Sequence, residues 1–367
     1  MYPVSHTKNK EESMGKVFEK IVTVENALNA FRLIRRGHSE DASMLKFESN
    51  LMQNISKIRN SILDGTYTVR GYRTLVVREP KERNIYAPYI EDRLVQQMIY
   101  TVIEPYLDKK MDRYSCACRV DKGVEYARNN TQRFMRDKSA IWYLKLDIDK
   151  YFASINHSIL LAILKKHIKD KQVIELLKKF IGNGFGNRGI PIGNLLSQLF
   201  ANLYLNEIDI YIRHKIKPIK YIRYMDDFIC FVETKSEAKT AKDLIMCFVE
   251  NELKLTIDNR KVKIQKTKHG ITFLGNKIYE KVKFLSKTKT TKLRKHIKQY
   301  VVSSMNKNLH HTFVNIIPKD DIGFLKTVID VYNKVMIDYA NMLFALKAFC
   351  RKFNVLLVGN KFKMEDK

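Results

Sequence analysis

Tyr221-Ile-Arg-Tyr-Met-Asp-Asp-Phe-Ile-Cys-Phe-Val232 holds two acids between two apolar, alternating runs. Alternation on both sides of Met225-Asp226-Asp227 predicts a β-hairpin with its turn at the acidic pair. Upstream, Trp142 to Asp149 has the same period of two. Trp142, Leu144, Leu146 and Ile148 face one way; Tyr143, Lys145, Asp147 and Asp149 face the other, as expected of a half-buried strand with carboxylates at its end. Alone, either acidic cluster reads most simply as a solvated strand end. Side by side in one sheet, the two would make a metal site. Phosphoryl transfer to a 3′-hydroxyl uses two metal ions roughly 3.5 to 4 Å apart. Mg²⁺ takes carboxylate oxygens and keeps water and phosphate as its other ligands.

Outward from this pair, residues 1 to about 70 have helical spacing, with Phe18, Ile21 and Val22 and later Leu51, Ile55, Ile58 and Ile62 on apolar faces. Tyr72 to Val77 predicts a strand, followed by the polar turn Glu79-Pro-Lys-Glu-Arg83. Leu94, Val95, Met98, Ile99, Val102 and Ile103 mark one face of a helix starting near Asp92, with Pro105 near its end. Residues 158 to 181 return to helix spacing, and 182 to 189 form a glycine-rich loop. That loop contains GxGxxG, but helical sequence precedes it and Pro191 follows, so a dinucleotide site is rejected. Residues 195 to 216 predict a long helix, 242 to 253 another, and Ile271 to Tyr279 a strand pair. Beyond Lys281 strand signals stop, and Lys281 to Lys298 holds eight Lys or Arg residues and no acid.

The 367 residues carry 67 Lys plus Arg against 39 Asp plus Glu, a net charge of +28. This balance implies a polyanionic partner, because neutralised phosphates release counterions; plain solubility by self-repulsion is the bland alternative. Hydrophobic residues at 45% and charged residues at 29% exclude a disordered chain. No apolar run reaches the roughly 18 to 20 residues that span a bilayer, and the N-terminus lacks an apolar signal core, so a cytoplasmic protein with no membrane association is expected. Cys116 and Cys118 have no second pair to complete a zinc site, and the five cysteines read as thiols of a reducing compartment.

Six segments in order resemble the motifs of reverse transcriptases. Tyr224-Met225-Asp226-Asp227 resembles the YxDD hairpin of that family, and LKLDIDKYFASI, residues 144–155, its first carboxylate motif. GIPIGNLLSQLFANLYLNEID, residues 189–209, resembles the substrate-pocket motif, and ITFLG, residues 271–275, the primer grip. EPKERNIYAPYIEDRLVQQMI, residues 79–99, resembles the fingers motif, and RYSCACRVDKGVEYA, residues 113–127, the one after it.

The resemblance implies an α+β right-hand polymerase: an antiparallel palm sheet backed by helices, fingers of helices and strands, and a helical thumb. The expected division is an N-terminal helical extension at 1–71, fingers at 72–140, a palm at 141–280 with a fingers insertion at about 158–189, and a thumb at 281–367. Roles follow residue by residue. Asp147 and Asp226 match ligands of two Mg²⁺ ions, for which Mn²⁺ could substitute; Asp227 matches a weaker third carboxylate, and Ile148 would lend a backbone carbonyl. Lys81 and Arg83 match residues that grip the incoming dNTP, a task suited to ammonium and guanidinium groups. Phe152 matches the aromatic under the sugar that collides with a 2′-hydroxyl, although simple core packing is the bland reading. Ile192, Gly193, Ser197 and Gln198 match the nucleotide pocket, where Gly193 would permit close backbone approach. Tyr224, Met225, Phe273, Leu274 and Gly275 match primer and template contacts; Lys292, Arg294 and Lys295 would meet the RNA/DNA duplex. Lys261 or Lys263 would assist at the leaving phosphate.

One departure is informative. Many family members carry Gln-Gly followed by Ser-Pro in the pocket motif, whereas this chain has Ile192-Gly193 and then Ser197-Gln198. The pattern resembles the enzymes of diversity-generating retroelements, which copy a template-repeat RNA with errors at adenines and work with a small basic accessory protein. An apolar Ile192 cannot hydrogen-bond where Gln could, so discrimination resting on that contact weakens. About 90 residues follow the primer grip, too few for a thumb plus an ordinary nuclease, so no nuclease is expected. The alternatives are an antiphage-defence or other bacterial retroelement enzyme, an RNA-dependent RNA polymerase, which Phe152 opposes, and a non-catalytic scaffold, which Asp147 and Asp226 oppose.

Overall fold

The computed structural model describes residues 17–38, 40–78 and 82–285, and the strand backbone at 355–358 and 361–364. Its centre is a four-stranded antiparallel sheet in the order β4-β5-β3-β6, formed by β3 (Trp142–Asp147), β4 (Lys220–Tyr224), β5 (Asp227–Val232) and β6 (Lys263–Lys266). The strands alternate as their side chains require. Leu144, Leu146, Phe228, Cys230 and Tyr221 enter the main core, while Tyr143, Ile222, Ile229 and Phe231 enter a second one. The expected half-buried strand is therefore covered on both faces. Tyr143 is fully buried because α6 (Val124–Met135) and the hairpin of β7 (Ile271–Phe273) with β8 (Asn276–Ile278) close over its side.

The other face is backed by α11 (Lys235–Asn251), which begins earlier than its apolar periodicity indicated because the Thr234 side chain caps it by accepting from Glu237 N. Beneath lies α10 (Leu195–Tyr211), buried almost all round and continued by a π-turn at Ile212–Ile216. It packs on α5 (Ile90–Asp108).

The N-terminal segment forms α1 (Val17–Ile21), α2 (Val24–Arg35), α3 (Ala42–Glu48) and α4 (Leu51–Leu63); the first three lie on α5. The region expected as one helical stretch at 158–181 is two, α8 (His157–His167) and α9 (Lys171–Ile181). Asp170 breaks the run. Its side chain caps α9 by accepting from Gln172 and Val173, and its other oxygen accepts from Phe18 N at 2.9 Å, tying α1 to this pair.

Strand β1 (Tyr72–Val77) has an antiparallel partner that the sequence did not announce, β2 (Arg83–Pro88). The two form a ribbon whose Leu75, Val76 and Val77 are exposed. Strands also continue past Lys281, contrary to expectation: β9 (Lys283–Leu285) adds to β7-β8, and β10 (Val355–Val358) pairs with β11 (Lys361–Met364). The remainder of the expected thumb lies outside the described residues. Among the described residues, no helix is long and apolar enough to cross a membrane.

Candidate active site

The β3–β5 register sets Asp147 directly opposite Asp227. On the other side of β5, Tyr224 pairs with Asp227, so Met225 and Asp226 alone make the hairpin turn. Met225 has φ +52° and Asp226 has no positive φ, the sign pattern of a type II′ turn. The end of β3 is laced to this turn, as Ile148 N donates to Asp226 O at 3.2 Å. The three expected carboxylates are thus brought together from two adjacent strands.

They are not equivalent. Asp147 accepts from Lys261 Nζ, whereas Asp227 accepts from Lys145 Nζ at 2.8 Å. Burial, and then the charge of Asp147, push the Asp226 carboxyl above the usual carboxylate range; Lys261 and Arg83 pull the other way. Asp227 is pushed up to about 6 by burial, against the pull of Lys145. A largely buried carboxyl raised by burial and by a neighbouring carboxylate is an arrangement that a cation relieves. The donors are all oxygen, and Mg²⁺ binds through one or two carboxylates plus substrate phosphates, so these residues fit a hard divalent ion. Among the described residues no group of three or more His, Cys, Asp or Glu is placed to hold a metal ion by itself, so substrate oxygens would have to complete the shell.

Arg83, at the start of β2, is close enough to the carboxylates for its charge to act on Asp226. Lys81 lies outside the described residues, as do Lys292, Arg294 and Lys295. Phe152, on the short α7 (Tyr151–Ser154), is half-buried against the main core with its ring edge-on to Tyr151. Of the two candidate lysines, Lys261 touches Asp147, whereas Lys263 sits on β6 opposite Lys145.

The pocket motif lies against the fingers ribbon. Tyr86 N donates to Ile192 O at 2.8 Å. Gly193 has φ +99°, and a Cβ there would lie 2.6 Å from Ile85 Cγ2. At Gly193 the backbone therefore lies close against β2. Ser197 is buried inside α10 and Gln198 half-buried one residue on. Tyr224 packs on the second core, and Phe273 is fully buried there, leaving Leu274 and Gly275, both at positive φ, as the turn between β7 and β8.

Two residues at this site escaped the sequence reading. Lys145, whose alternation marks it only as a strand residue, pairs with Asp227 and also donates to Thr272 O at 3.0 Å, so it joins the acidic hairpin to β7. Arg223 is fully buried behind the turn. Its signal was a guanidinium among Tyr221, Ile222 and Tyr224.

Residues 78–278 match the family described as "Reverse transcriptase (RNA-dependent DNA polymerase)". The chain belongs to the reverse transcriptase family. This reverse transcriptase is 24% identical over 279 residues to Protein YkfC of Escherichia coli (strain K12), covering 64% of this chain and 73% of that protein. It is 22% identical over 353 residues to the group II intron-encoded protein LtrA of Lactococcus lactis subsp. cremoris, covering 73% of this chain but only 58% of that protein. Among solved structures, apo telomerase from Candida Tropicalis superposes with a TM-score of 0.46 at 12% identity, over 83% of this chain and 67% of that one. The reverse transcriptase match spans both carboxylate strands, the pocket motif and β2 of the ribbon but not β1, so the chain carries an RNA-dependent DNA polymerase domain.

Proposed function

We propose that this chain copies a template RNA into cDNA by two-metal nucleotidyl transfer from dNTPs. The observation that carries the reading is the convergence of Asp147 and Asp226 from adjacent strands inside the family's domain. Asp147 and Asp226 would hold two Mg²⁺ ions, with Asp227 held back by Lys145 as an auxiliary charge. When bound there, such ions would supply Lewis acidity for the primer 3′-hydroxyl and charge neutralisation for the pyrophosphate. Arg83, with Lys81, grips the triphosphate; Phe152 walls off the 2′ position; Lys261 lies where charge develops on the leaving group. Leu274 and Gly275 present the primer. The division into extension, fingers, palm and thumb, with Lys292, Arg294 and Lys295 on the RNA/DNA duplex, belongs to the same proposal.

Wild type and Asp226→Asn, compared on an RNA template with a DNA primer, test it. The variant should lose extension while keeping RNA binding, because the basic surface and not the carboxylate holds the backbone. Extension above a few per cent of wild type, roughly a 2 kcal/mol effect, sinks the assignment.

For the biological setting we propose error-prone synthesis in a diversity-generating retroelement, together with a small basic accessory protein, on the strength of Ile192 in the pocket motif. Ile192→Gln should lower misincorporation opposite template adenine, since a discriminating polar contact is worth about 1 to 3 kcal/mol. Wild type copying adenine as faithfully as other bases, with native RNA and accessory protein supplied, removes this reading. The second reading, another bacterial retroelement enzyme of the intron-encoded kind, is favoured by the similarity to LtrA over 73% of the chain. An antiphage role would then compete with it.

A further inference from the structure

Behind the hairpin turn lies a pair of charges that metal binding does not use. Arg223 on β4 and Asp209 on α10 are both fully buried. Arg223 Nε donates to Asp209 Oδ1 at 2.7 Å and Nη2 to Oδ2 at 2.5 Å. The Tyr221 hydroxyl donates to the same Oδ1 at 2.6 Å. The remaining guanidinium donors go to Asn202, its side-chain oxygen at 3.2 Å and its carbonyl at 3.3 Å, and to the carbonyl of Met225 at 3.3 Å.

Stability alone is a weak reason for such a pair. Removing two charges from water is costly, and apolar residues of the same volume are often as stable. The contact to Met225 offers a better reason. That carbonyl belongs to the peptide joining Met225 to Asp226, the central peptide of the turn. Its orientation decides whether the turn keeps the form seen here or flips, and so where the Asp226 carboxylate points. Met225 carries a Cβ in a left-handed conformation that favours glycine, so the turn is held against the preference of its own residue. A planar guanidinium can grip Asp209 with one edge and the turn with the other; a lysine ammonium, a single point of donation, cannot do both.

We infer that Arg223 is a positioning residue for nucleotidyl transfer: clamped by Asp209 and Asn202, it fixes the Met225–Asp226 peptide and thereby aims Asp226 at Asp147. The inference rests on the proposed polymerase reading. It makes α10 the anchor of the metal-binding hairpin, through residues that never touch substrate.

Two variants test it in the full chain. Arg223→Lys keeps a positive charge for Asp209 but gives up the turn. The double variant Arg223→Met with Asp209→Asn removes both charges and nearly keeps the volume. For each, thermal melting, Mn²⁺ binding to the protein alone by electron paramagnetic resonance, and single-nucleotide kcat and KM are measured beside wild type and Asp226→Asn. The expected result is melting close to wild type, Mn²⁺ binding weakened about 10- to 100-fold, and kcat lowered about 100-fold with KM nearly unchanged. A variant that melts like wild type and keeps both its Mn²⁺ affinity and its kcat overturns the inference. So does failure of both variants to fold, which would assign the pair to the core alone. If wild type itself fails to extend a primer, the polymerase reading falls, while Mn²⁺ binding still judges Arg223.

Discussion

Gly193 sits where the pocket motif meets the fingers ribbon, and Gly193→Ala should loosen that joint. Two costs arise at once. At φ +99° the backbone is in a region that side-chain-bearing residues avoid, and the new Cβ would lie 2.6 Å from Ile85 Cγ2. The first costs about 1 to 2 kcal/mol and the second, as overpacking, about 1 to 3 kcal/mol. The strain is most easily relieved by tilting β2 away, because the ribbon is two strands wide, exposes Leu75, Val76 and Val77, and is tied to the motif by Tyr86 N donating to Ile192 O. Even the low end, about 2 kcal/mol, is a roughly 30-fold shift towards the undocked ribbon. Hydrogen exchange at the Tyr86 amide should therefore speed up, and KM for dNTP should rise because Arg83 moves with β2. Adding Ile85→Ala removes Cγ2 and should recover the clash but not the backbone cost. Unchanged Tyr86 exchange and unchanged KM in Gly193→Ala would refute the reasoning. Failure of Ile85→Ala to improve the double variant would refute the clash alone.

Phe152→Val should raise ribonucleotide incorporation, read as the ratio of ATP to dATP use, since it removes the wall under the 2′ position; an unchanged ratio would make Phe152 core only. Lys261→Ala should lower kcat by about 100-fold, the low end of what a positioned acid contributes, in single-turnover extension; a change confined to KM would remove it from the leaving-group side. Replacing Lys292, Arg294 and Lys295 by Gln should flatten the salt dependence of RNA/DNA duplex binding by up to about 0.9 per lost phosphate contact. A slope equal to wild type would leave that run as a solvated face.

The catalytic strands were legible because their information is local. Period-two alternation around Asp147 and around Asp226-Asp227 needs no tertiary knowledge, and antiparallel pairing then brings the acids together. Strand β2 was missed because Arg83 to Pro88 mixes charged, polar and small residues, and its strand state comes from pairing with β1 rather than from its own pattern. Gly193 was expected to let a nucleotide come close to the backbone; its contact with Ile85 of β2 depends on a strand more than 100 residues earlier, which no local pattern shows. Lys145 looked like the solvent face of a half-buried strand; only the β7–β8 hairpin arriving from far along the chain turns that face into a joint. The same holds for Arg223, whose partner Asp209 was quoted inside the pocket motif yet acts 14 residues away on the hairpin.

That separation points to what α10 does. Its 17 residues span about 25 Å at 1.5 Å per residue. Its N-terminal end follows Ile192 and Gly193, which hold the β1–β2 ribbon; Asn202 and Asp209 further along hold Arg223 and through it the Met225-Asp226 turn. Tyr151, preceding Phe152, donates to Ala201 O at 2.6 Å, so the sugar wall hangs from the same helix. A helix buried on nearly every side cannot bend locally without opening the core, so these attachments move together or not at all. The proposed nucleotide pocket, sugar wall and metal site are thus fixed to one rigid rod, while the triphosphate grip at Arg83 sits on the exposed two-stranded ribbon. Such a division suits a polymerase: the reacting atoms need invariant geometry, and the gate that admits each new nucleotide needs freedom.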